Sequence, residues 1–323
     1  MLQTTRAFFR LVRWPNLVFI FLTQWLFYQF AIMPDFPGDA DFPANAGPLV
    51  NLLRPRLFYL LSASSVLIAA AGYIINDYFD LNIDRVNKPD RLVVEKLIKR
   101  RWTIVWHWVL SSLGVLLGLY VSWKVRNPLV GLGNLACVFL LWFYSTTFKR
   151  KLLIGNIVIS LLTAWVILVL YVCEFRLSSL GNSSYAYVVS RIFKYAIVYS
   201  GFAFIISLIR EVVKDIEDME GDARYGCRTM PIVWGVNVAK VFAATWLVVL
   251  IGALLVIQFY VLQRAQWFMT VYCFLFLDLP LLWTLRRLYA AQSKADYHWL
   301  SGVIKGIMLA GILSMIFIYI KLG

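Results

Sequence analysis

Asn76-Asp77-Tyr78-Phe79-Asp80-Leu81-Asn82-Ile83-Asp84 ends one long apolar run, and Asp215-Ile216-Glu217-Asp218-Met219-Glu220-Gly221-Asp222 ends another. In each, three aspartates stand at i, i+3 and i+7: Asp77, Asp80, Asp84 and Asp215, Asp218, Asp222. At 3.6 residues per turn this spacing predicts, in each stretch, three carboxylates on one helix face. Carboxylates packed this closely repel one another, and a bilayer is a poor place to keep them. A divalent cation removes both objections. The pattern reads as two facing metal-binding ledges at a membrane surface. A merely solvated charge run would scatter acids and bases without register, whereas these two share a register and both abut the membrane.

The surrounding chain supports a membrane setting. It has 323 residues, 61% of them hydrophobic and only 15% charged, with mean hydropathy +0.75. That composition belongs to polytopic membrane proteins. Nine stretches, near residues 16–33, 57–75, 103–123, 128–147, 153–173, 192–209, 238–262, 267–285 and 300–320, are apolar and long enough to cross a bilayer about 30 Å thick. The expected fold is all-α, a single transmembrane domain over 1–323. The first apolar run could be read as a signal peptide cut after Ala44-Asn45-Ala46, but it is long and those residues lie too far beyond it. Basic residues cluster at Arg6, Arg10 and Arg13, in 85–101, at Lys149, Arg150 and Lys151, in 210–228 and in 286–294. The positive-inside rule then places the N-terminus and both acidic motifs in the cytoplasm and the C-terminus on the other side. In a bacterium the membrane would be the inner one.

This bias accounts for most of the net charge of +14 without nucleic acid. The bases beside the aspartates point instead to an anionic ligand. Cys137, Cys173, Cys227 and Cys273 have no paired spacing, and His107 and His298 are too far apart for a zinc site. There is no Walker A motif, no Gly-x-Gly-x-x-Gly and no nucleophile elbow. The acidic motifs follow spans two and six, which suggests two four-helix pseudo-repeats plus one helix.

Oxygen-only ligand sets favour hard cations, and Mg²⁺ in particular is held by one or two carboxylates plus substrate phosphate oxygens. Two such ledges suit a diphosphate. Lys149, Arg150 and Lys151, with Arg91, Lys214, Arg224 and Arg228, could stabilise its departing oxygens. A diphosphate at a membrane surface with apolar space behind it suits a polyprenyl diphosphate. The allylic cation formed on ionisation could be stabilised by aromatic faces such as Tyr73, Tyr78, Phe79, Tyr144 and Tyr199. Most aromatics in such a chain are packing or interfacial-belt residues.

These residues carry a resemblance. Asn76-Asp77-x-x-Asp80-x-x-x-Asp84 resembles the first signature of the UbiA superfamily of intramembrane prenyltransferases, and Asp218-x-x-x-Asp222 resembles the second. Tyr144-Ser145-Thr146-Thr147-Phe148-Lys149-Arg150 is similar to that family's segment after span four, and Arg13-Trp14-Pro15-Asn16 to its entry before span one. The resemblance implies nine helices around a central cavity and Mg²⁺-dependent transfer of a prenyl group from a prenyl diphosphate to an acceptor. It implies that Asn76, Asp80 and Asp84 bind one Mg²⁺, with Asp77 close by, and that Asp218, Asp222 and Asp215 bind the other. Lys149 and Arg91 would contact the diphosphate, and Tyr144 would support the site. Arg13, Asn16, Tyr73, Asn87, Lys214 and Arg224 are the remaining expected substrate contacts.

The run through Asn87-Lys88-Pro89-Asp90-Arg91 resembles the branch that holds the digeranylgeranylglyceryl phosphate synthases and the chlorophyll synthases. That branch continues with prolines and a glycine, where this chain reads Leu92-Val93-Val94-Glu95-Lys96-Leu97-Ile98, so a different loop shape is expected. The implied donor is a prenyl diphosphate, geranylgeranyl for choice. The acceptor would be a lipid such as geranylgeranylglyceryl phosphate, then an aromatic quinone precursor, then a chlorophyll-type acid. Rival readings are a transporter using acidic relays and a lipid-binding scaffold. Neither would release pyrophosphate from a prenyl diphosphate.

Overall fold

A computed structural model describes residues 2–35, 52–89, 92–176 and 183–318. Arg91, the Ala44-Asn45-Ala46 segment and Gly323 lie outside them. Among the described residues nine helices are long and apolar enough to cross a membrane. They are α2 (Trp14–Phe27, running on through a wide turn to Ile32), α3 (Pro55–Asn87), α4 (Arg100–Val125), α5 (Pro128–Thr146), α6 (Ile154–Glu174), α7 (Ser183–Glu217), α10 (Val236–Leu262), α11 with α12 (Trp267–Cys273 and Leu279–Ala290, joined by a wide turn) and α13 (Lys294–Leu313). Short helices α1 (Leu2–Leu11), α8 (Met219–Arg224) and α9 (Met230–Val233) sit between or before them. The chain is a multi-pass integral membrane protein.

Each expected span is present. The two that carry acidic motifs are the longest, 33 residues in α3 and 35 in α7. Both run well past the expected spans 57–75 and 192–209. The polar residues that end the apolar run in sequence do not end the helix, because side-chain partners along it or on a neighbouring helix satisfy them, as Asn76 does for Asp80 and Asn156 for Asp215.

By contacts the chain forms two compact units. One comprises residues 1–81, 92–145 and 165–200, the other 82–91, 146–164 and 201–323. In the first unit glycines set the helix spacing. A Cβ on Gly114 would stand 2.7 Å from Ile68, and one on Gly118 2.6 Å from Asn134 Nδ2. Their absence lets α4 approach α3 and α5 closely enough for polar side chains to pair inside the bilayer. Ser64 Oγ donates to the Gly114 carbonyl at 2.6 Å, Asn134 Nδ2 donates to Ser64 at 3.2 Å, and Trp165 Nε1 donates to Asn134 Oδ1 at 3.3 Å. At the end of α6, Glu174 is fully buried and accepts from the backbone N–H groups of Leu52 at 3.1 Å and Leu53 at 2.9 Å.

The same unit explains α1, which sequence reading left outside the spans. Ala7 and Leu11 are buried on one side while Arg6 and Arg10 are exposed on the other. The buried side packs on Ala70, Ala71, Ile74 and Leu81 of α3. The loop with the unexpected sequence joins this cluster through Val93, Val94 and Ile98. It folds as a tight turn, with Val94 bridged to Ile98 and Glu95 left-handed at φ 64°. Apolar residues replace prolines there because they pack beneath α1 and α3. In the second unit Ile206, Ile209, Val213 and Ile216 of α7 form one core with α10, α12 and α13.

Candidate active site

The first motif lies wholly on α3, so its one-face geometry holds as expected. Asn76 Nδ2 donates to Asp80 Oδ2 at 2.8 Å, an i, i+4 bond along that face. Asp80 is buried and Asp84 half-buried. Arg13 stands where α1 gives way to α2, left-handed at φ 51°. Its guanidinium donates to Asp77 Oδ1 at 2.7 Å and lies 5.2 Å from the centre of the Tyr73 ring. Three expected site residues therefore meet, and Asp77 is held by a cation of the chain itself. Arg100 covers the Tyr78 ring at 4.4 Å. Asn16 sits half-buried in the first turn of α2, its N–H bonded to the Arg13 carbonyl at 2.8 Å. Tyr144 is half-buried near the end of α5.

The second motif departs from the expected single helix. α7 ends at Glu217, Asp218 takes φ −95° and ψ 3°, and α8 starts at Met219. Asp215 and Asp222 thus lie on different helices, with Asp218 at the joint. The break is bracketed from α3. Asn87 Nδ2 donates to the Asp218 carbonyl at 2.8 Å, and Asn87 Oδ1 accepts from the Gly221 N–H at 2.9 Å. The second bond satisfies the Gly221 N–H that the interrupted helix leaves without a backbone partner, and the first adds to an Asp218 carbonyl that also accepts from the Asp222 N–H at 3.2 Å. A side chain at Gly221 would not fit, since its Cβ would stand 2.6 Å from the Asn87 amide.

Lys88 Nζ donates to Asp218 Oδ2 at 2.6 Å, and Lys294 Nζ donates to the Asn87 carbonyl at 3.2 Å. Asn156 on α6 donates to Asp215 Oδ2 at 2.8 Å. Lys149 occupies a tight turn, Phe148–Arg150, that lies against the start of α6. A Cβ on Gly155 would meet the Lys149 Cα at 2.8 Å. The Arg228 N–H donates to the Arg150 carbonyl at 2.9 Å, so the basic turn is tied to the segment that follows the second motif. Lys214 lies 3.5 Å from Glu211, and Arg224 is exposed at the end of α8.

Sequence reading missed Lys88, Asn156, Glu211 and the pair of His298 Nδ1 with Glu217 Oε1 at 2.8 Å. Asn156 had a visible signal, an amide inside an otherwise apolar span. Lys88 had none beyond its closeness to the first motif, because its partner is 130 residues away.

Among the described residues no three of His, Cys, Asp and Glu converge as a ready-made metal cage. Two buried oxygens nevertheless lack any hydrogen-bond partner, Asn76 Oδ1 in the first motif and Asp218 Oδ1 in the second. A buried acceptor left without a donor is costly. Oxygen donors supplied one or two at a time fit Mg²⁺, which completes its shell with water and phosphate oxygens. The residues present fit that ion.

A model described as the UbiA prenyltransferase family matches residues 44–311, and the chain belongs to that family. Relatives named digeranylgeranylglyceryl phosphate synthase include that of Methanothermobacter thermautotrophicus, 34% identical over 62% of this chain and 65% of that one. The match to the Ignicoccus hospitalis protein of the same name spans 55% of that protein's length at 36% identity. The Methanosarcina mazei protein is 32% identical over 74% of this chain and 69% of its own. Among solved structures, one described as a digeranylgeranylglyceryl phosphate synthase superposes with TM-score 0.61 at 22% identity, covering 99% of both chains. A UbiA homolog from Archaeoglobus fulgidus bound to DMAPP and Mg²⁺ superposes with TM-score 0.56 at 14% identity, covering 96% of this chain and 99% of that one. These likenesses show the fold.

Proposed function

We propose that the chain is a Mg²⁺-dependent prenyltransferase that moves a prenyl group, geranylgeranyl for choice, from its diphosphate to geranylgeranylglyceryl phosphate. The observation that carries the reading is the pair of partnerless buried oxygens, one in each acidic motif. The shared name of the relatives supports the lipid acceptor. Asn76, Asp80 and Asp84 would hold one ion, and Asp215, Asp218 and Asp222 the other. Bound there, Mg²⁺ neutralises phosphate oxygens and makes the diphosphate a better leaving group. Arg13 neutralises Asp77 and so leaves Asn76 and Asp80 as the donors of their turn. Asn156 orients Asp215, and Lys88 fixes one oxygen of Asp218 while the other stays available. Lys149 and Arg91 would meet the diphosphate, with Lys214 and Arg224 nearby, and Asn16, Tyr73 and Tyr144 would line the substrate path.

The test is product analysis by mass spectrometry. Purified protein is given Mg²⁺, mixed prenyl diphosphates and a total lipid extract, with and without EDTA. A doubly prenylated glyceryl phosphate that disappears with EDTA is the expected result. Undiminished turnover in excess chelator overturns the metal reading, and a prenylated aromatic product replaces the acceptor.

Lys149→Gln is expected to cut kcat more than it raises the KM for prenyl diphosphate, because the charge acts as negative charge grows on the leaving oxygen. Lys149→Arg should rescue in part, since the charge survives and the point geometry does not. Lys151→Gln is the control. Equal activity of Lys149→Gln and Lys151→Gln would remove the diphosphate role, since all three bases would then be ordinary topology anchors. The proposed orientation, with motifs and N-terminus cytoplasmic, predicts that a reporter fused after Gly323 appears on the opposite side. A cytoplasmic reporter would contradict it.

A further inference from the structure

The first unit holds a pocket at the end of α4 that the proposed reaction does not use. α4 starts at Arg100, beyond the end of α3 that carries the first motif, and its 26 residues run about 39 Å to Val125. There the turn into α5 forms a cavity of about 490 Å³, lined by Leu119, Ser122, Trp123, Lys124, Arg126 and Asn127 with Pro128. That size is within the range of about 300–1,000 Å³ usual for small-molecule sites. The floor is braced. Ser122 Oγ donates to the Asn127 carbonyl at 2.7 Å, and the Asn127 N–H donates to the Ser122 carbonyl at 3.1 Å. Asn127 Nδ2 donates to the Val172 carbonyl of α6 at 2.8 Å. Gly131 lets α5 close on this floor, since a Cβ there would stand 2.8 Å from Leu119 and 3.1 Å from Ser122 Oγ.

The polar groups of the floor are spent on one another, and the two cations are not. Lys124 Nζ lies 4.4 Å from the centre of the Trp123 ring and 5.6 Å from that of Tyr120. Neither Lys124 nor Arg126 has a carboxylate partner among the described residues, and both are exposed. Arg126 caps α4 in the left-handed conformation at φ 55°, a place that glycine takes without strain. Both stand at the far end of α4 from Arg100 and Arg101, so the bias of basic residues toward the motif end does not account for them. Deeper along α4, Leu116, Leu119, Tyr120 and Trp123 are exposed at i, i+3, i+4 and i+7, one apolar face that runs from the pocket toward the middle of the span.

We infer that this pocket takes the headgroup phosphate of an anionic membrane lipid. Arg126 can present two N–H groups to phosphate oxygens, and Lys124 adds a point charge beside it. The lipid chains would lie along the face from Trp123 to Leu116, about 10 Å of helix. A free anion would meet the cations and have no use for that face. Cations at a helix C-terminus also favour the helix dipole, but that role is indifferent to which headgroup is near. The pocket needs neither prenyl diphosphate nor Mg²⁺.

Native mass spectrometry of the intact protein tests this, with phosphatidylglycerol and phosphatidylcholine of the same chain length as probes. The wild type is expected to bind phosphatidylglycerol about 25-fold more tightly, about 5-fold for each cation. Lys124→Gln and Arg126→Gln should each remove about 5-fold of that preference and together nearly all of it, leaving phosphatidylcholine unchanged. Exchanging the cations, Lys124→Arg with Arg126→Lys, should keep most of the preference. Arg264→Gln, which removes a cation outside the pocket, should leave it intact. A wild type that binds the two lipids equally overturns the pocket, as does a preference that survives in the double Gln variant. An equal loss in Arg264→Gln also overturns it, since general surface charge would then explain the binding. Inorganic phosphate separates the two sources of the group. At the concentration of the lipid it should displace nothing, and displacement would make the free anion the ligand and end the lipid assignment.

Discussion

Asp218→Ala is expected to lower prenyl transfer at least about 10²-fold, equivalent to about 2.7 kcal/mol of transition-state stabilisation. The carboxylate has two distinct oxygens. One accepts from Lys88 at 2.6 Å, and the other is buried with no partner. The substitution removes the charge that a metal ion needs and leaves the Lys88 ammonium without its carboxylate. It leaves the bracket intact, because Asn87 bonds the Asp218 carbonyl rather than its side chain. The protein should therefore still insert and fold. Asp80→Ala, in the first motif, should cost as much, whereas Asp39→Ala and Asp41→Ala, which lie outside the described residues and between the first two spans in sequence, should be nearly silent. Lys88→Gln separates the two roles of Asp218, since it removes the ion pair and keeps the carboxylate. Its Mg²⁺ activation curve should stay near that of the wild type, while that of Asp218→Asn shifts to higher Mg²⁺ by about 10-fold or more. Similar losses at Asp39 and Asp218 would mean general destabilisation rather than a lost ligand.

Gly221→Ala should cost about as much by another route. The new methyl would stand 2.6 Å from the Asn87 amide, far inside contact distance, and Asn87 is itself buried. The amide must leave, the Gly221 N–H loses its partner, and the Asp218 carbonyl keeps only the Asp222 N–H. Each unsatisfied buried group costs about 1–3 kcal/mol, and the joint that sets the direction of Asp218 loosens. A fall in melting temperature in detergent and a loss of kcat/KM of about 10- to 100-fold are expected. Asn87→Ala removes the same two bonds without a clash. The double variant should then be no worse than Gly221→Ala alone, since the methyl meets nothing once the amide is gone. Strictly additive losses would show that the two residues act independently and that the bracket does not position Asp218.

The sequence carried the helix count because a span of about 20 apolar residues is a strong, local signal. It also carried the two motifs, because Asp residues at i, i+3 and i+7 leave their mark within three turns. Three features were illegible for one shared reason, a partner far away in the chain. Arg13 meets Asp77 across 64 residues, Asn87 meets Gly221 across 134, and His298 meets Glu217 across 81. The break at Asp218 was hidden differently. Nothing in Asp215-Ile216-Glu217-Asp218-Met219 disfavours a continuous helix by propensity, and at the interruption Asn87 gives the Gly221 N–H the bond that a continuous helix would have supplied. The turn at 93–98 was visible as a departure from the family pattern, but its apolar character became intelligible only with α1 packed against α3.

Glu174 adds a constraint on how the protein is made. The two amides it accepts belong to Leu52 and Leu53, so the segment that leads into α3 is fastened by a residue more than 120 positions further on. A ribosome adding about 5–20 residues per second takes about 6–24 s to cover that distance. Through that interval the entry to α3 has no Glu174 to close on, and the first spans must wait in the membrane for the fifth. Assembly of this unit is in that sense timed by translation, since the entry to α3 cannot be fastened before α6 arrives.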